Sequence, residues 1–326
     1  MNLNREYSFA IAAVREAAEL CTNVQVRLQN SSFQKEDRSP VTVADFGSQA
    51  LVCSRLRASF SDDPIIAEEN ADVLRESDNK ALSERVLSEV LRLRGDATEE
   101  DVLHWIDLGD DKEYSDRFWT LDPIDGTKGF LRGDQYAVAL ALVEEGQVVL
   151  SAVACPRLSV VQADSEIGVV LAAKKGGGTL IYRLSDMTVI GEARVSTNAD
   201  SSSIRLCESV ESMHTSHSGT GRVASILGIT SQPVRLDSQA KYAVVASGNA
   251  EMYLRLPSDR RYVENIWDHA GGSLLVEEAG GIVTDIRGNH LDFSLGYQLK
   301  NNRGVIVSNG HLHDRLLEAI REAGID

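Results

Sequence analysis

Residues 119–130 read Trp-Thr-Leu-Asp-Pro-Ile-Asp-Gly-Thr-Lys-Gly-Phe. Pro123 separates Asp122 from Asp125, and proline fixes its own φ and interrupts a continuous helix. Two carboxylates, a turn that can lend a carbonyl, and then free N–H groups and a hydroxyl suit a hard cation. Such a stretch on its own is equally typical of an acidic β-turn, because Asp, Pro and Gly favour turns for local reasons. Other acidic residues decide between the two interpretations.

Four further acids lie at the ends of predicted helices and strands: Asp45 begins a helix, Glu68 and Glu69 follow an apolar strand, and Asp268 begins a helix rich in Ala and Gly. An acid in the first turn of a helix complements the helix dipole, which is a local explanation for Asp45 and Asp268. An acid after a buried strand adds solubility. Neither explanation requires all of these acids to lie at element ends beside apolar segments, where functional sites are commonly built. The pattern favours a shared site.

Composition limits the class of protein. The chain has 326 residues, of which 43% are hydrophobic and 25% charged, so we expect an ordinary globular protein with two domains. The net charge of −16 argues against a protein that binds nucleic-acid polymers or membrane surfaces. An anionic small molecule remains compatible with this charge, because bound divalent cations can invert the local field.

Charges within the first twenty residues interrupt any secretory signal, and no apolar stretch approaches the ~20 residues of a membrane span. We therefore expect a cytoplasmic protein, with an organellar form that has lost a leader left open, and a monomer as the simplest state. The four cysteines contain no Cys-x-x-Cys pair, which predicts buried thiols rather than a zinc site or disulfides.

Hydrophobic periodicity divides the chain into two parts. The first part, residues 1–195, is predicted to be α+β, with helices packed on a largely antiparallel sheet. Its predicted helices are 4–28, 44–58, 82–93 and 99–108, and its predicted strands are 64–67, 118–121, 136–143, 148–154, 167–173 and 179–184. The second part, residues 196–326, begins with a small polar linker (196–203) and is predicted to be α/β. Its predicted strands are 204–210, 233–237, 251–256, 281–285 and 304–308, and its predicted helices are 219–228, 239–247, 267–280 and 311–322.

The acidic motifs together resemble a known superfamily. An Asp in the second helix, Glu-Glu after a strand, Asp-Pro-x-Asp-Gly-Thr, and Trp-Asp before a Gly-Ala-rich helix occur here in that order between residues 45 and 270. The chain thereby resembles the lithium-sensitive, Mg²⁺-dependent phosphatases that include inositol monophosphatase and fructose-1,6-bisphosphatase. The resemblance implies a layered α-β-α-β-α sandwich.

Within that superfamily the chain most resembles the 3′(2′),5′-bisphosphate nucleotidases of the plant and fungal type. Those carry Gly-Thr-Lys-Gly-Phe, as residues 126–130 do here, where inositol monophosphatases usually have Asn in place of the second Gly. Residues 208–210 leading to His217, residues 236–242 and residues 253–257 also resemble this subfamily.

The resemblance implies roles for individual residues. The implied ligands of two or three Mg²⁺ ions are Glu68, Asp122, Asp125, Asp268 and the carbonyl of Ile124. Glu69 is left open between a residue that supports these ligands and a ligand of a weaker metal. Asp45 and Thr127 are implied to position and deprotonate the attacking water. The implied substrate-binding residues are Gly126 and Thr127, whose N–H groups can receive phosphate, with His217, Ser238, Lys241, Arg255 and Asp268.

The implied substrate is adenosine 3′,5′-bisphosphate, which is hydrolysed at the 3′ ester to AMP and phosphate. 3′-Phosphoadenylyl sulfate is expected as a second substrate and inositol 1,4-bisphosphate as a third. Two alternatives stay open, namely an inositol phosphate phosphatase and a non-catalytic protein that binds the nucleotide. Taken singly, Ser238 could be a helix N-cap and Arg255 a charged residue on an edge strand.

Overall fold

Helices and strands form layers along the chain. The computed structural model describes residues 3–30, 39–161, 164–210, 216–257, 259 and 261–325. The helices are α1 (Asn4–Asn30), α2 (Ser39–Ser59), α3 (Asp72–Arg75), α4 (Lys80–Leu91), α5 (Glu99–Asp107), α6 (Thr127–Arg132), α7 (His217–Leu227), α8 (Ala240–Ala246), α9 (Ala270–Glu278) and α10 (His313–Glu322).

Two sheets contain the strands. The first sheet has the order β1 (Ile65–Ala67), β2 (Arg117–Asp125), β3 (Ala137–Glu144), β4 (Gln147–Cys155), β5 (Val169–Lys174), β6 (Thr179–Arg183) and β7 (Val189–Ala193). The second sheet joins β8 (Leu206–Glu208), β9 (Val234–Arg235), β10 (Met252–Arg255), β11 (Ile282–Thr284) and β12 (Val305–Ser308) in the order β11-β12-β10-β8-β9.

The first sheet is largely antiparallel, as predicted. Only β1 and β2 run parallel, with Ile66 opposite Thr120, and every later neighbour in that sheet is antiparallel. The second sheet is mixed, because β10 is parallel to β8 and antiparallel to β12. Strand β7 was not predicted, since Gly191 and Glu192 interrupt its short apolar pattern.

Three hydrophobic cores separate the layers. The first lies between the first sheet and α1 and α2, where Val14 and Leu51 belong to the same buried cluster as Trp119 and Leu140. The second lies between the two sheets and contains α8 and α9. The third lies between the outer face of the second sheet and α7 and α10. Neighbouring residues of β3 alternate between the first two cores, as the period of a strand requires. The predicted α-β-α-β-α sandwich is confirmed.

Three element boundaries near the acidic residues differ from the prediction. Helix α2 begins at Ser39 rather than near residue 44, because proline is well tolerated in the first turn of a helix. Asp45 therefore lies in the second turn, where the helix dipole no longer explains it. Strand β2 continues through Asp125 instead of ending before a turn, and α9 begins at Ala270, after Asp268.

The four cysteines, Cys21, Cys53, Cys155 and Cys207, are free and buried, which confirms that prediction. Among the helices of the described residues, none combines the length and apolarity that crossing a bilayer requires. The division into domains at residue 195 stays a prediction, because α8 and α9 of the second part share one core with the first sheet.

Candidate active site

A β-bulge shapes the aspartate motif. The register of β2 against β3 shifts between Asp122, which is opposite Ala139, and Asp125, which is opposite Ala137. A sheet admits proline where no ladder hydrogen bond is needed, and Pro123 lies within this shift. The Ser48 hydroxyl donates to the Pro123 carbonyl at 3.0 Å and fixes the bulge to α2. The bulge leaves Ile124 without a ladder partner on β3 among the described residues.

Acids from three segments meet at this bulge. Carboxylate oxygens of Asp122, Asp125 and Asp268 lie within 4.8 Å of one another. Glu68, which follows β1, interacts electrostatically with Asp122, Asp125 and Asp268. The buried Oδ1 atom of Asp122 has no hydrogen-bond partner within the described part of the chain. A buried oxygen without a partner is costly, so this donor set fits a divalent cation that prefers oxygen ligands.

Burial and mutual repulsion raise the pKa values of these acids. Burial and then the charge of Glu68 raise the pKa of Asp122 well above its ordinary value. Burial and then Asp268 raise the pKa of Asp125 to about 6, against the opposing effect of Lys241. The carboxyl of Glu68 lies among protein atoms, and this environment and then the charge of Asp268 raise its pKa, although the residue as a whole is exposed to solvent. A bound cation would relieve this repulsion.

Asp45 joins the cluster from α2. Its side chain is buried, and its pKa is raised by burial and then by the charges of Glu69 and Glu68. Gln49, one turn further along α2, holds the segment that carries both glutamates. Its amide donates to the Glu69 carbonyl at 2.6 Å and to the Ile106 carbonyl at 2.8 Å, and accepts from the Glu69 N–H at 3.0 Å. Gln49 was not predicted, although a polar residue before the apolar run 50–53 was a visible signal.

Helix α6 presents Thr127 at its exposed first residue. Gly126 precedes it with φ +92°, and a Cβ there would lie 3.0 Å from the Cβ of Ser238. A Cβ on Gly129 would lie 2.1 Å from the Gln135 carbonyl oxygen. Both glycines of the Gly-Thr-Lys-Gly sequence thus permit close contact between α6 and its neighbours. The N–H groups of a first helical turn lack partners within the helix, and those near Thr127 belong to such a turn.

Ser238 and Lys241 come from the segment before α8 and its first turn. Ser238 has φ +66°, a left-handed conformation that is uncommon for a residue with a side chain. Its Oγ accepts from the Ala240 N–H at 3.2 Å, a local hydrogen bond at the start of α8, whose N-cap residue is Gln239. Lys241 is buried, donates to the Leu236 carbonyl at 3.2 Å and lies 5.1 Å from the Tyr253 ring centroid. Burial lowers its pKa to about 8.

Arg255 provides a second cation beside the acids. Its Nη2 lies 2.7 Å from Oε2 of Glu264 and 3.7 Å from Oδ2 of Asp268, and its buried Nε has no partner among the described residues. The ring of His269 lies between Glu264, at 3.2 Å, and the Tyr242 hydroxyl, at 2.7 Å. Burial alone would raise the pKa of Glu264, but Arg255 and His269 lower it to about 2. Sequence reasoning missed Glu264 and His269.

The structure therefore brings most of the predicted residues together. Asp45, Glu68, Asp122, Asp125 and Asp268 share electrostatic interactions, and Lys241 and Arg255 border them. His217 begins α7, but its side chain lies outside the described residues, as does the whole of segment 211–215.

Comparison with known proteins agrees with this geometry. The model of the inositol monophosphatase family matches residues 2–324. The chain belongs to the inositol monophosphatase family. It is 42% identical to a 3′(2′),5′-bisphosphate nucleotidase of Schizosaccharomyces pombe, over 98% of this chain and 96% of that protein. It is 40% identical to a protein of the same name from Dictyostelium discoideum, over 99% of this chain and 98% of that one.

Solved structures of the family show the same fold. The IMPase of Thermotoga maritima matches with a TM-score of 0.65 at 24% identity, covering 98% of each chain. The inositol monophosphatase of Anabaena matches with a TM-score of 0.63 at 20% identity, covering 99% of this chain and 97% of that one. Membership of this family and the acidic cluster together identify a metal-dependent phosphatase.

Proposed function

We propose that this family member is a 3′(2′),5′-bisphosphate nucleotidase that converts adenosine 3′,5′-bisphosphate to AMP and phosphate. Relatives of about 40% identity along nearly the whole chain carry that name. The observation that supports the proposal best is the acidic cluster bordered by two cations, the buried Lys241 and the partly buried Arg255. An acidic pole suits divalent ions at the scissile phosphate, and the adjacent cations suit a second phosphate on the same molecule.

Mg²⁺ is the proposed ion, held by Glu68, Asp122, Asp125, Asp268 and the carbonyl of Ile124. The unpartnered Oδ1 of buried Asp122 supports this choice, since carboxylate and carbonyl oxygens are the ligands that Mg²⁺ prefers. When bound, such ions supply Lewis acidity and neutralise charge around the reacting phosphate.

Asp45 and Thr127 are the proposed water-activating pair. Thr127 lies exposed at the start of α6 and offers a hydroxyl that can orient a water, while buried Asp45 can accept its proton. The water oxygen attacks phosphorus as its proton passes to Asp45, the bond between phosphorus and the 3′ oxygen breaks, and that oxygen takes up a proton from solvent to become the 3′ hydroxyl of AMP.

Substrate choice is assigned to Ser238, Lys241, Arg255 and His217. Lys241 has a pKa of about 8, lowered by burial, and is therefore mostly charged at neutral pH. The unpartnered Nε of Arg255 can donate to a phosphate oxygen while Glu264 holds Nη2. These groups suit the 5′-phosphate of the nucleotide, and the same chemistry would accept 3′-phosphoadenylyl sulfate and, less well, inositol 1,4-bisphosphate.

Phosphate release from a substrate panel tests this proposal. The panel contains adenosine 3′,5′-bisphosphate, 3′-phosphoadenylyl sulfate, inositol 1,4-bisphosphate and inositol 1-phosphate, each with and without Mg²⁺. We expect Mg²⁺-dependent turnover with a strong preference for the nucleotides, and inhibition by millimolar lithium. Preference for inositol 1-phosphate would instead favour the inositol phosphatase. Tight nucleotide binding with no turnover at any Mg²⁺ concentration would favour a non-catalytic binding protein.

A further inference from the structure

Gln239 lies at the junction of the two halves of the acidic site. It follows Ser238 directly, precedes α8, and its side chain is 1% exposed. Its backbone N–H donates to Oδ2 of Asp125 at 2.6 Å. The main chain of Gln239 therefore restrains the carboxylate that β2 contributes from the first sheet.

The side chain of Gln239 restrains the segment around Asp268 at the same time. Its Nε2 donates to the Trp267 carbonyl at 2.9 Å, and its Oε1 accepts from the Gly272 N–H at 2.8 Å. These two groups flank Asp268 along the chain. The Gly272 N–H belongs to the first turn of α9, where backbone donors lack intrahelical partners and need an outside acceptor.

We infer that Gln239 is a positioning residue that sets the distance between Asp125 and Asp268, an inference that rests on the metal-dependent function proposed above. The two carboxylates come from different layers and repel each other when no cation lies between them. The amide donates and accepts at once without adding charge, so the side chain restrains the segment of Asp268 while the main chain of Gln239 restrains Asp125 through one carboxylate oxygen. A lysine or glutamate here would pair with or repel those carboxylates.

A purely structural role makes a different prediction. If Gln239 served only to cap α9, its loss would lower stability and leave cation affinity unchanged. A buried amide elsewhere offers a matched control. Asn309 is 1% exposed and its Nδ2 donates to the Asn198 carbonyl at 2.8 Å, next to β12 and remote in sequence from the acidic segments.

The experiment measures binding of Mn²⁺ alone to substrate-free, full-length protein by electron paramagnetic resonance. Gln239→Met keeps the approximate side-chain volume and removes both side-chain hydrogen bonds. We expect its Mn²⁺ affinity to fall by about tenfold to about 100-fold, the usual range for groups that orient metal ligands. Asn309→Leu should lose thermal stability without a change in Mn²⁺ affinity. Steady-state kinetics add a second readout, because the Gln239→Met defect should shrink as Mn²⁺ approaches saturation.

The outcomes distinguish failure of the positioning role from failure of the proposed function. Wild-type affinity for Mn²⁺ in folded Gln239→Met, or an equal loss in Asn309→Leu, overturns the positioning role and leaves the proposed function intact. Absence of Mn²⁺ binding in the wild-type protein overturns both. If Gln239→Met does not fold, Gln239→Asn replaces it, since its amide is one methylene too short to reach Trp267 and Gly272 together. The same direction of change is then expected.

Discussion

Asp122 shows how one carboxylate can be costly to a fold and useful to a site. It is 1% exposed, one of its oxygens has no partner among the described residues, and burial and neighbouring acids raise its pKa. Buried groups of this kind destabilise a protein unless something binds them. Binding of the proposed cation would give the unpartnered oxygen of Asp122 a ligand and offset the cost of burying it.

Asp122→Asn tests the proposed role of this carboxylate as a metal ligand. We expect turnover to fall by about 1,000-fold or more, because a neutral amide is a poor ligand for Mg²⁺. Without added metal, the melting temperature should stay the same or rise, because one repelling charge is gone. Phosphate release and thermal melting in chelator measure the two effects. Asp62→Asn, an exposed acid before β1, is the control, and near-normal turnover in Asp122→Asn would refute the ligand role.

Arg255→Ala separates substrate recognition from metal binding. We expect kcat/KM for adenosine 3′,5′-bisphosphate to fall about 100-fold, equivalent to about 2.7 kcal/mol. The loss on adenosine 3′-monophosphate, which lacks the second phosphate, should be much smaller. Initial rates at saturating Mg²⁺ compare the two substrates, and equal losses on both would contradict the assigned role.

Sequence reasoning predicted the residues that carry charge for the chemistry and missed the residues that hold them in position. Asp122 and Asp268 were visible because acids beside apolar segments need a reason. Gln239 and Glu264 were invisible because their partners, Trp267 and Arg255, come from other segments and depend on packing. No local pattern marks which backbone carbonyl a glutamine will contact.

The position of α6 depends on close contact between its backbone and neighbouring segments. A Cβ on Gly129 would lie 2.1 Å from the Gln135 carbonyl oxygen and 2.7 Å from Oδ2 of Asp237, so the helix approaches two neighbours more closely than a side chain allows. Asp237 is also paired with Arg132 at the end of α6. This contact joins the helix that carries Thr127 to the segment that carries Ser238.

Gly129→Ala should therefore displace α6. We expect loss of stability and at least about tenfold lower turnover, since a small misplacement of catalytic groups is costly. Gly221→Ala is the matched control, because a Cβ there meets nothing within 4 Å and α7 should gain about 0.5–1 kcal/mol. Thermal melting and initial rates of both variants provide the comparison. Unchanged turnover in Gly129→Ala would mean that α6 can shift freely.

An ion pair links β8 to β10 at their starts. The Glu251 side chain is fully buried and accepts from the Arg205 N–H at 2.6 Å and from its Nη2 at 2.5 Å. Burial would raise the pKa of Glu251, but these hydrogen bonds lower it overall. A lowered pKa means that the ionised form stabilises the fold above the ordinary value of 4.5, and that this contribution is lost as pH falls through the folded-state pKa.

Glu251→Gln should lower the free energy of unfolding by about 2 kcal/mol at neutral pH. The difference between wild type and variant should shrink as pH falls below 4.5. Denaturant unfolding across this pH range measures it. Glu192→Gln is the control, because Glu192 and Arg194 form an exposed pair, 2.8 Å apart, that should contribute little. A difference that does not depend on pH would exclude ionisation of Glu251 as the cause.

Element types were largely predictable, whereas their boundaries near the site were not. The helical period of α1 and the hairpin of β3 and β4 follow from local patterns. The start of α2 was wrong because Pro40 was interpreted as a boundary, although it lies in the first turn. Strand β2 was ended too early because Asp-Pro-x-Asp is also a turn sequence, and only pairing with β3 shows the bulge.

For the whole molecule, the acidic site couples metal binding to folding. The proposed ligands come from the segment after β1, from β2 and from the segment before α9, so a cation that binds them stabilises the assembled layers. Ligand at about 100 times its Kd stabilises the folded state by about 2.7 kcal/mol. The layered sandwich was predicted through the resemblance. The order of the acidic motifs indicated how the two sheets stack, which hydrophobic periodicity alone does not.

Adding Mg²⁺ or Mn²⁺ should accordingly raise the melting temperature, and a chelator should reverse the shift. Asp122→Asn should show little or no shift, because the ligand set is incomplete. Calorimetry with NaCl at matched ionic strength controls for screening of surface charge. A shift of the same size in Asp122→Asn would place the binding ion elsewhere.

Glutamine side chains fasten the backbone around the site. Gln25 donates to the Phe130 carbonyl of α6 at 2.9 Å, Gln49 holds the segment of Glu68, and Gln239 holds the segment of Asp268. An amide neither gains nor loses a proton at physiological pH. The hydrogen bonds made by these three glutamines therefore do not depend on pH. The backbone that carries the proposed ligands is thus held in the same way across the pH range in which the carboxylates themselves titrate.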